Sequence, residues 1–351
     1  DLAKIKEAVA GQYPHDKNFI ENCGYYLPPH ANLLFVPFAL APPPVAKVAW
    51  ALLHGLAGLM IASLQRLLRR PDEPPPAGLI AHLVPFLLLF NFLAVAVLMV
   101  GQFSQLFVAC IVGGLWCFDR GGKWGAAAGV LLWSCAFVKP HIAIPFIGLA
   151  WYLGGWKRAA ALVGMVGGLN LLGAAVIGGS PLFLRDYFEY LRDAHQHVEY
   201  NRAELNPEIT SWNRLLFVLS GEDYRFLIEQ TAVTVVASYL VWFGLLLGRC
   251  GLSGVKPPAA WALAAAAAGA VVCPQVLGYE AILLLLAVPW IGQLFADRRR
   301  AWGAAAVLLL GMQAIPYQGM DSFGFHFHRP LCAMLFALLV LAGPTGSRAD
   351  D

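Results

Sequence analysis

Long apolar runs, one after another, constrain this chain more than any other feature. A membrane helix needs about 20 mostly apolar residues. Such runs occur at about 45–66, 78–99, 102–118, 123–138, 141–155, 157–179, 226–248, 258–273, 279–296, 301–316 and 329–344, about eleven spans in all. Charged residues make up 13% of the chain and hydrophobic residues 59%. A soluble domain carries about 25% charged residues. Within lipid, backbone N–H and C=O groups must bond one another, which leaves helices as the solution for runs of this length. The sequence therefore predicts an all-α, polytopic transmembrane helix bundle, a single domain over residues 1–351. The run Ala31 to Ala41 is too short to span and reads as a re-entrant or interfacial segment, ended by Pro42-Pro43-Pro44.

Composition also excludes several function classes. The net charge is +3, and the chain lacks the basic stripe with interleaved aromatics of a nucleic-acid binder. There are 7 cysteines but no C-x-x-C. Cys110, Cys117, Cys135, Cys273 and Cys332 sit in apolar runs and read as small buried hydrophobes, not as a disulfide framework or zinc site. His195 and His197, and His326 and His328, are each spaced for an extended strand, with no third ligand evident. No metal or cofactor is called for. The chain opens at Asp1 without a Met or a signal peptide, and is read as lacking its first transmembrane helix.

Charge orients the bundle. With residues 1–44 placed outside the cytoplasm, the inner connections hold Arg66, Arg69, Arg70, Arg120, Lys123, Lys157, Arg158, Arg249, Lys256, Arg298, Arg299, Arg300 and Arg348. The short outer connections hold only Lys139 and Arg329. This is the positive-inside bias of short loops. It predicts a multi-pass protein of the plasma (inner) membrane whose long loops, residues 1–44 and 180–225, lie on the extracytoplasmic side. Any active site is expected there.

Several outer-face groups stand out. Phe183, Leu184, Tyr187, Phe188 and Leu191 recur at helical spacing among charges, predicting an amphipathic helix in the interface that serves as a surface anchor or as a lid for a lipid-borne substrate. Lys139 ends an apolar run and precedes a Pro. It reads as a snorkelling lysine or as a point charge for a phosphate. Gln102 and Gln105 open a helix on the same face. Tyr279 and Glu280 begin another span, where Glu280 either caps the helix or faces a cavity.

These stretches together resemble the GT-C-type membrane glycosyltransferases, specifically the polyprenol-phosphate-mannose-dependent mannosyltransferases of glycosyltransferase family 87, formerly domain of unknown function 2029. The resemblance rests on Gly11 to Tyr13, on Tyr26-Leu27-Pro28-Pro29 leading to Phe35-Val36-Pro37, and on Gly101-Gln102-Phe103-Ser104. It continues through Gly129 to Lys139-Pro140, the Phe183 to Tyr190 run, Asn206 with Ser211 and Asn213, and Pro274 to Pro289. The stretches follow the family's order over nearly the whole chain. Ser104 stands where the family commonly has Asn. Tyr279-Glu280 stands where it often has Tyr-Asp or a His-containing pair. The family's catalytic Asp follows its first membrane helix, a little before the Gly11 region.

What the resemblance implies is transfer of a sugar, mannose by expectation, from a polyprenyl phosphate donor to a hydroxyl of a glycolipid or glycan acceptor, with inversion. The base role falls to Asp1, with Asp16 behind it. Lys139 is expected at the donor phosphate, with Arg202 or Arg329 as helpers. Tyr25, Tyr26, Gln102, Asn206, Asn213, Tyr279 and Glu280 are expected to bind sugar or acceptor, and the prenyl tail to lie between helices near the interfacial segment. Alternatives are a GT-C enzyme moving arabinose, glucose or aminoarabinose, a lipid or sugar transporter, and a non-enzymatic assembly subunit. A transporter would carry paired broken helices and charges near the midplane, whereas here the ionisable groups gather at one face.

Overall fold

The computed structural model describes residues 28–68, 103–189, 209–220, 232–253, 257–274, 276–315 and 327–343. The apolar runs within those limits become helices. They are α1 (His30–Leu40), α2 (Pro43–Leu67), α3 (Ser104–Arg120), α4 (Gly122–Ala136), α5 (Pro140–Gly178), α6 (Trp212–Ser220), α7 (Ala232–Ser253) and α8 (Ala259–Val272). A 3-10 helix (Gly278–Ala287) follows, then α9 (Val288–Ala296), α10 (Arg300–Gln313) and α11 (His328–Ala342). Among the described residues, the strand-like pairing is one isolated bridge, Ile209 with Leu277. The chain is an all-α polytopic bundle. The expected span at 78–99 lies outside the described residues.

Prolines and glycines set the joints. Ala41, held out of the α region by the proline that follows it, ends α1 in an extended conformation. Pro42 caps α2, and Pro43 occupies its first turn, where its fixed φ suits a helix start and its missing N–H is not needed. The polyproline stretch thus both stops the short helix and launches the first long one. The two expected spans at 141–155 and 157–179 are halves of α5, separated at Gly155, whose φ of 71° and ψ of −179° break the helix. The expected span at 279–296 begins as 3-10 helix and turns α-helical at Val288. Pro289 falls in the first turn of the α-helical part, where its missing N–H and fixed φ suit a helix start.

The centre of the bundle is α8, of sequence AAWALAAAAAGAVV, in which every residue from Ala260 to Val272 is buried. Small side chains let neighbouring backbones approach closely, the usual device for packing helices in lipid. Helix α8 is packed by α5, the 3-10 helix, α9, α11 and α7. Around it, α3 and α4 form a tight pair, with Trp133 Nε1 donating to the Ile111 carbonyl at 2.9 Å. The outer surfaces are apolar: Leu52, Leu56, Val163, Leu172, Val236, Leu240 and Leu308 are all exposed. Three described helical stretches are long and apolar enough to cross a membrane: Pro140–Gly178, Val233–Gly251 and Gly278–Ala296. Apolar residues turned outward on such helices are what a lipid-facing wall requires.

Of the predicted interfacial helix, residues 183–189 are helical, with Tyr187 buried and Phe188 exposed. Arg185 and Glu189 pair at 3.0 Å on its exposed side. Residues 190–198 lie outside the described set.

Candidate active site

Several helix N-termini meet at one end of the bundle. Lys139 is the N-cap of α5, Ser104 the first residue of α3, and Glu280 lies in the first turn of the 3-10 helix. Arg329 lies in the first turn of α11, and Asn213 in that of α6. Unpaired N–H groups and aligned peptide dipoles make such ends electropositive. Glu280 is the acidic residue in the first turn of its helix; the first turns of α3, α5, α6 and α11 have none. The end of the bundle as a whole is therefore suited to an anion.

Lys139 and Glu280 are joined there. Lys139 is 6% exposed and Glu280 3%. The Lys139 ammonium donates to Glu280 Oε1 in a direct ion pair and to Ser104 Oγ at 3.0 Å. The Tyr279 ring lies with its centroid 5.4 Å from Nζ, a cation–π distance. Neither of the local alternatives for these residues survives. Lys139 is too buried to snorkel, and Glu280 bonds a lysine side chain, not merely its own helix end. Glu280 Oε2 is buried without a hydrogen-bond partner among the described residues. A buried charge pair is retained only with good geometry, and an unpartnered carboxylate oxygen inside it marks a place where a donor would be welcome.

Arg329 reaches the same place from α11. Its guanidinium lies against Gly278, so closely that a Cβ there would fall 1.9 Å from Nη1. Its Nη2 donates to the Ile315 carbonyl at 3.2 Å, and its own carbonyl accepts from Gln313 Nε2 at 2.7 Å. On the other side, Thr210 N donates to the Val276 carbonyl at 2.9 Å. Together with the Ile209–Leu277 bridge, this bond ties the start of α6 to the start of the 3-10 helix. Ser211 Oγ and Asn213 Oδ1, both buried, lack hydrogen-bond partners among the described residues.

The structure thus brings Lys139, Tyr279 and Glu280 together, sets Arg329 against Gly278 two residues before Glu280, and ties the start of α6, which carries Asn213, to the same segment. The sequence reading gave Lys139 to phosphate and Glu280 to sugar as separate roles, yet the two side chains are bonded to each other. Asp1, Asp16, Tyr25, Tyr26, Gln102, Arg202 and Asn206 lie outside the described residues. Two members of the polar network went unnoticed in the sequence. Ser104 was read only as part of a motif. His54 lies in an apolar run yet is 2% exposed, with Nδ1 3.1 Å from Gln105 Oε1, and its carbonyl accepts from Gln105 Nε2 at 3.0 Å. A polar residue within a span is itself a signal, since it is costly without a partner.

A second feature lies along α5. An apolar cavity of about 640 Å³ is lined by Pro145, Tyr152, Trp242, Leu246, Trp261 and Ala265, among others. It begins six residues along α5 from Lys139, about 9 Å by helical rise. The cavity lies between the first half of α5, α7 and α8. Among the described residues there is no group of three or more His, Cys, Asp or Glu able to hold a metal ion.

Comparison with known proteins gives this arrangement a context. The sequence model of glycosyltransferase family 87 matches residues 25–274. The polyprenol-phosphate-mannose-dependent alpha-(1-2)-phosphatidylinositol mannoside mannosyltransferase of Mycobacterium tuberculosis (strain ATCC 25618 / H37Rv) is 26% identical over 352 residues, which cover 92% of this chain and 77% of its own. No solved structure matches. The family match spans well over half of the chain and takes in Ser104, Lys139 and Asn213: the chain belongs to glycosyltransferase family 87 and is a membrane glycosyltransferase.

Proposed function

We propose that this enzyme transfers mannose from a polyprenyl phosphate donor to a hydroxyl of a glycolipid acceptor, with inversion, at the extracytoplasmic face of the plasma membrane. The observation that carries the reading is the Lys139 centre, a buried lysine among helix N-termini, bonded to Glu280 of the segment that Arg329 packs against at Gly278. The similar mannosyltransferase supplies the donor class by its name. The outward orientation rests on the basic residues gathered at the opposite connections.

The chemistry explains why cations are wanted there. The acceptor oxygen forms a bond to the anomeric carbon from one side as the bond to the phosphate oxygen breaks on the other. The acceptor proton passes to a carboxylate, for which Asp1 and Asp16 are the candidates. The electron pair of the broken bond stays with the phosphate, whose charge rises from about −1 to about −2. Lys139 and Arg329 are suited to stabilise that growing charge, the kind of contribution that is larger in the transition state than in the ground state. Tyr25, Tyr26, Gln102, Arg202, Asn206, Asn213 and Tyr279 remain proposed contacts to sugar, acceptor or phosphate. The cavity along α5 is a seat of suitable chemistry for the prenyl chain.

The test is transfer of labelled mannose from a polyprenyl phosphate donor by the full-length protein in vesicles. Lys139→Met is expected to lower kcat/KM by about 10²–10³-fold. Activity equal to wild type at subsaturating donor would remove Lys139 from the phosphate.

A further inference from the structure

We infer that Glu280 is an exchangeable counter-ion: it neutralises Lys139 while the donor site is empty, and the donor phosphate takes its place during turnover. The inference rests on the proposed phosphate role of Lys139. It starts from the burial of both groups, which leaves neither a cheap way to stay charged alone. In the resting geometry the lysine is bonded to Glu280 and Ser104, with the Tyr279 ring beside it. A phosphate arriving at the ammonium would meet the Glu280 carboxylate at close range. Two anions on one buried cation repel, and the weaker contact must give way.

Glu280 is built to give way. Its second oxygen is buried and has no hydrogen-bond partner among the described residues, so among them the lysine contact alone holds the carboxylate on its present side. Its backbone is better fixed: the 3-10 helix start is tied by the Thr210–Val276 bond and the Ile209–Leu277 bridge. The side chain can therefore turn without the helix moving. A released carboxylate is an acceptor that needs donors, and a sugar presents hydroxyls. The exchange would let the same residue accept hydrogen bonds from the sugar only when phosphate is bound.

The return stroke matters as much. After transfer, the departing phosphate binds Lys139 more strongly than the donor did, because it has gained charge. Glu280 competes for the same ammonium and so hastens product release. Ser104 stays bonded to Lys139 in both states and keeps the ammonium in register.

The experiment compares wild type, Glu280→Gln, Glu280→Asp and Lys139→Met in full-length protein. The readouts are donor KM and kcat, inhibition by a polyprenyl phosphate that carries no sugar, and the shift in melting temperature that this lipid causes. Glu280→Gln is expected to bind the sugar-free lipid at least about tenfold more tightly, to lower donor KM and to lower kcat. It should also gain more thermal protection from the lipid than wild type does. Inhibition equal to or weaker than wild type in Glu280→Gln overturns the inference. If Glu280→Gln does not fold, Glu280→Asp decides: a shortened carboxylate should pair less well and shift the same parameters in the same direction, and unchanged values overturn the inference. Lys139→Met separates the two levels. Full donor use by Lys139→Met sinks the phosphate reading itself, whereas loss of donor use with wild-type-like Glu280→Gln sinks only the exchange.

Discussion

Neutralising the buried pair one partner at a time, and then both together, separates what Lys139 and Glu280 do for stability from what they do for catalysis. Lys139→Met leaves the Glu280 carboxylate, 3% exposed, without its cation and with both oxygens short of donors. Removing one member of a buried pair costs about 3–5 kcal/mol, because the survivor remains as an uncompensated charge. Ser104 can offset only part of this, since one hydroxyl supplies a single donor in place of a full positive charge, and the Tyr279 ring face repels an anion. Replacing both as Lys139→Met with Glu280→Gln removes both charges, and pairs so replaced are often close to neutral in stability. The double variant is therefore expected to recover most of the loss, with a coupling in the cycle of about 3 kcal/mol or more, at the upper end for residues in contact. Unfolding in mixed micelles, followed by tryptophan fluorescence for all four proteins, measures it. Activity should not recover if Lys139 holds the donor phosphate as proposed, because the double variant still lacks that cation. A double variant no more stable than Lys139→Met would refute the claim that the two charges depend on each other.

Other outcomes follow from single contacts. Gly278→Ala places a Cβ where the Arg329 guanidinium now lies. Being the end of a flexible side chain, the guanidinium can move aside, so kcat should fall by about tenfold or more with little change in thermal unfolding. Gly173→Val meets backbone instead: a Cβ would lie 2.5 Å from the Pro29 carbonyl and 2.7 Å from His30 N. This should push α1 from α5, break the His30–Asn170 contact at 3.0 Å, and cost about 1–3 kcal/mol in unfolding measurements. Ala265→Trp fills the cavity along α5 and should raise KM for a long-chain donor several-fold while leaving a short-chain analogue unchanged. Equal effects on both donors would remove the cavity from donor binding.

The helices were legible because lipid leaves the backbone few options. Runs at 45–66, 258–273 and 301–316 correspond to Pro43–Leu67, Ala259–Val272 and Arg300–Gln313, and Gly155 marks the division of α5 where the sequence had placed a turn. The 3-10 course of Gly278–Ala287 was not legible, since its apolar residues suit either helix and tertiary packing decided between them. At the site, residue type pointed to Lys139, Arg329, Tyr279 and Glu280. Their pairing did not show, because Lys139 and Glu280 are 141 positions apart and nothing local links them. His54 escaped notice for the same reason: its partner Gln105 lies 51 positions away. Seen alone, Lys139 and Glu280 are isolated polar residues at the edges of apolar runs, and His54 is one inside a run.

The winding of the 3-10 stretch fixes how far Glu280 extends. Each residue in a 3-10 helix advances about 2.0 Å, against about 1.5 Å in an α-helix. From Val288, where α-helix resumes, back to Glu280 there are eight residues, so the extended winding carries the carboxylate about 4 Å farther along the axis than α-helical winding would. With α9 fixed in place, an α-helical version of the same sequence would leave Glu280 short of Lys139. The reach of that one acid is set by the pitch of the helix beneath it.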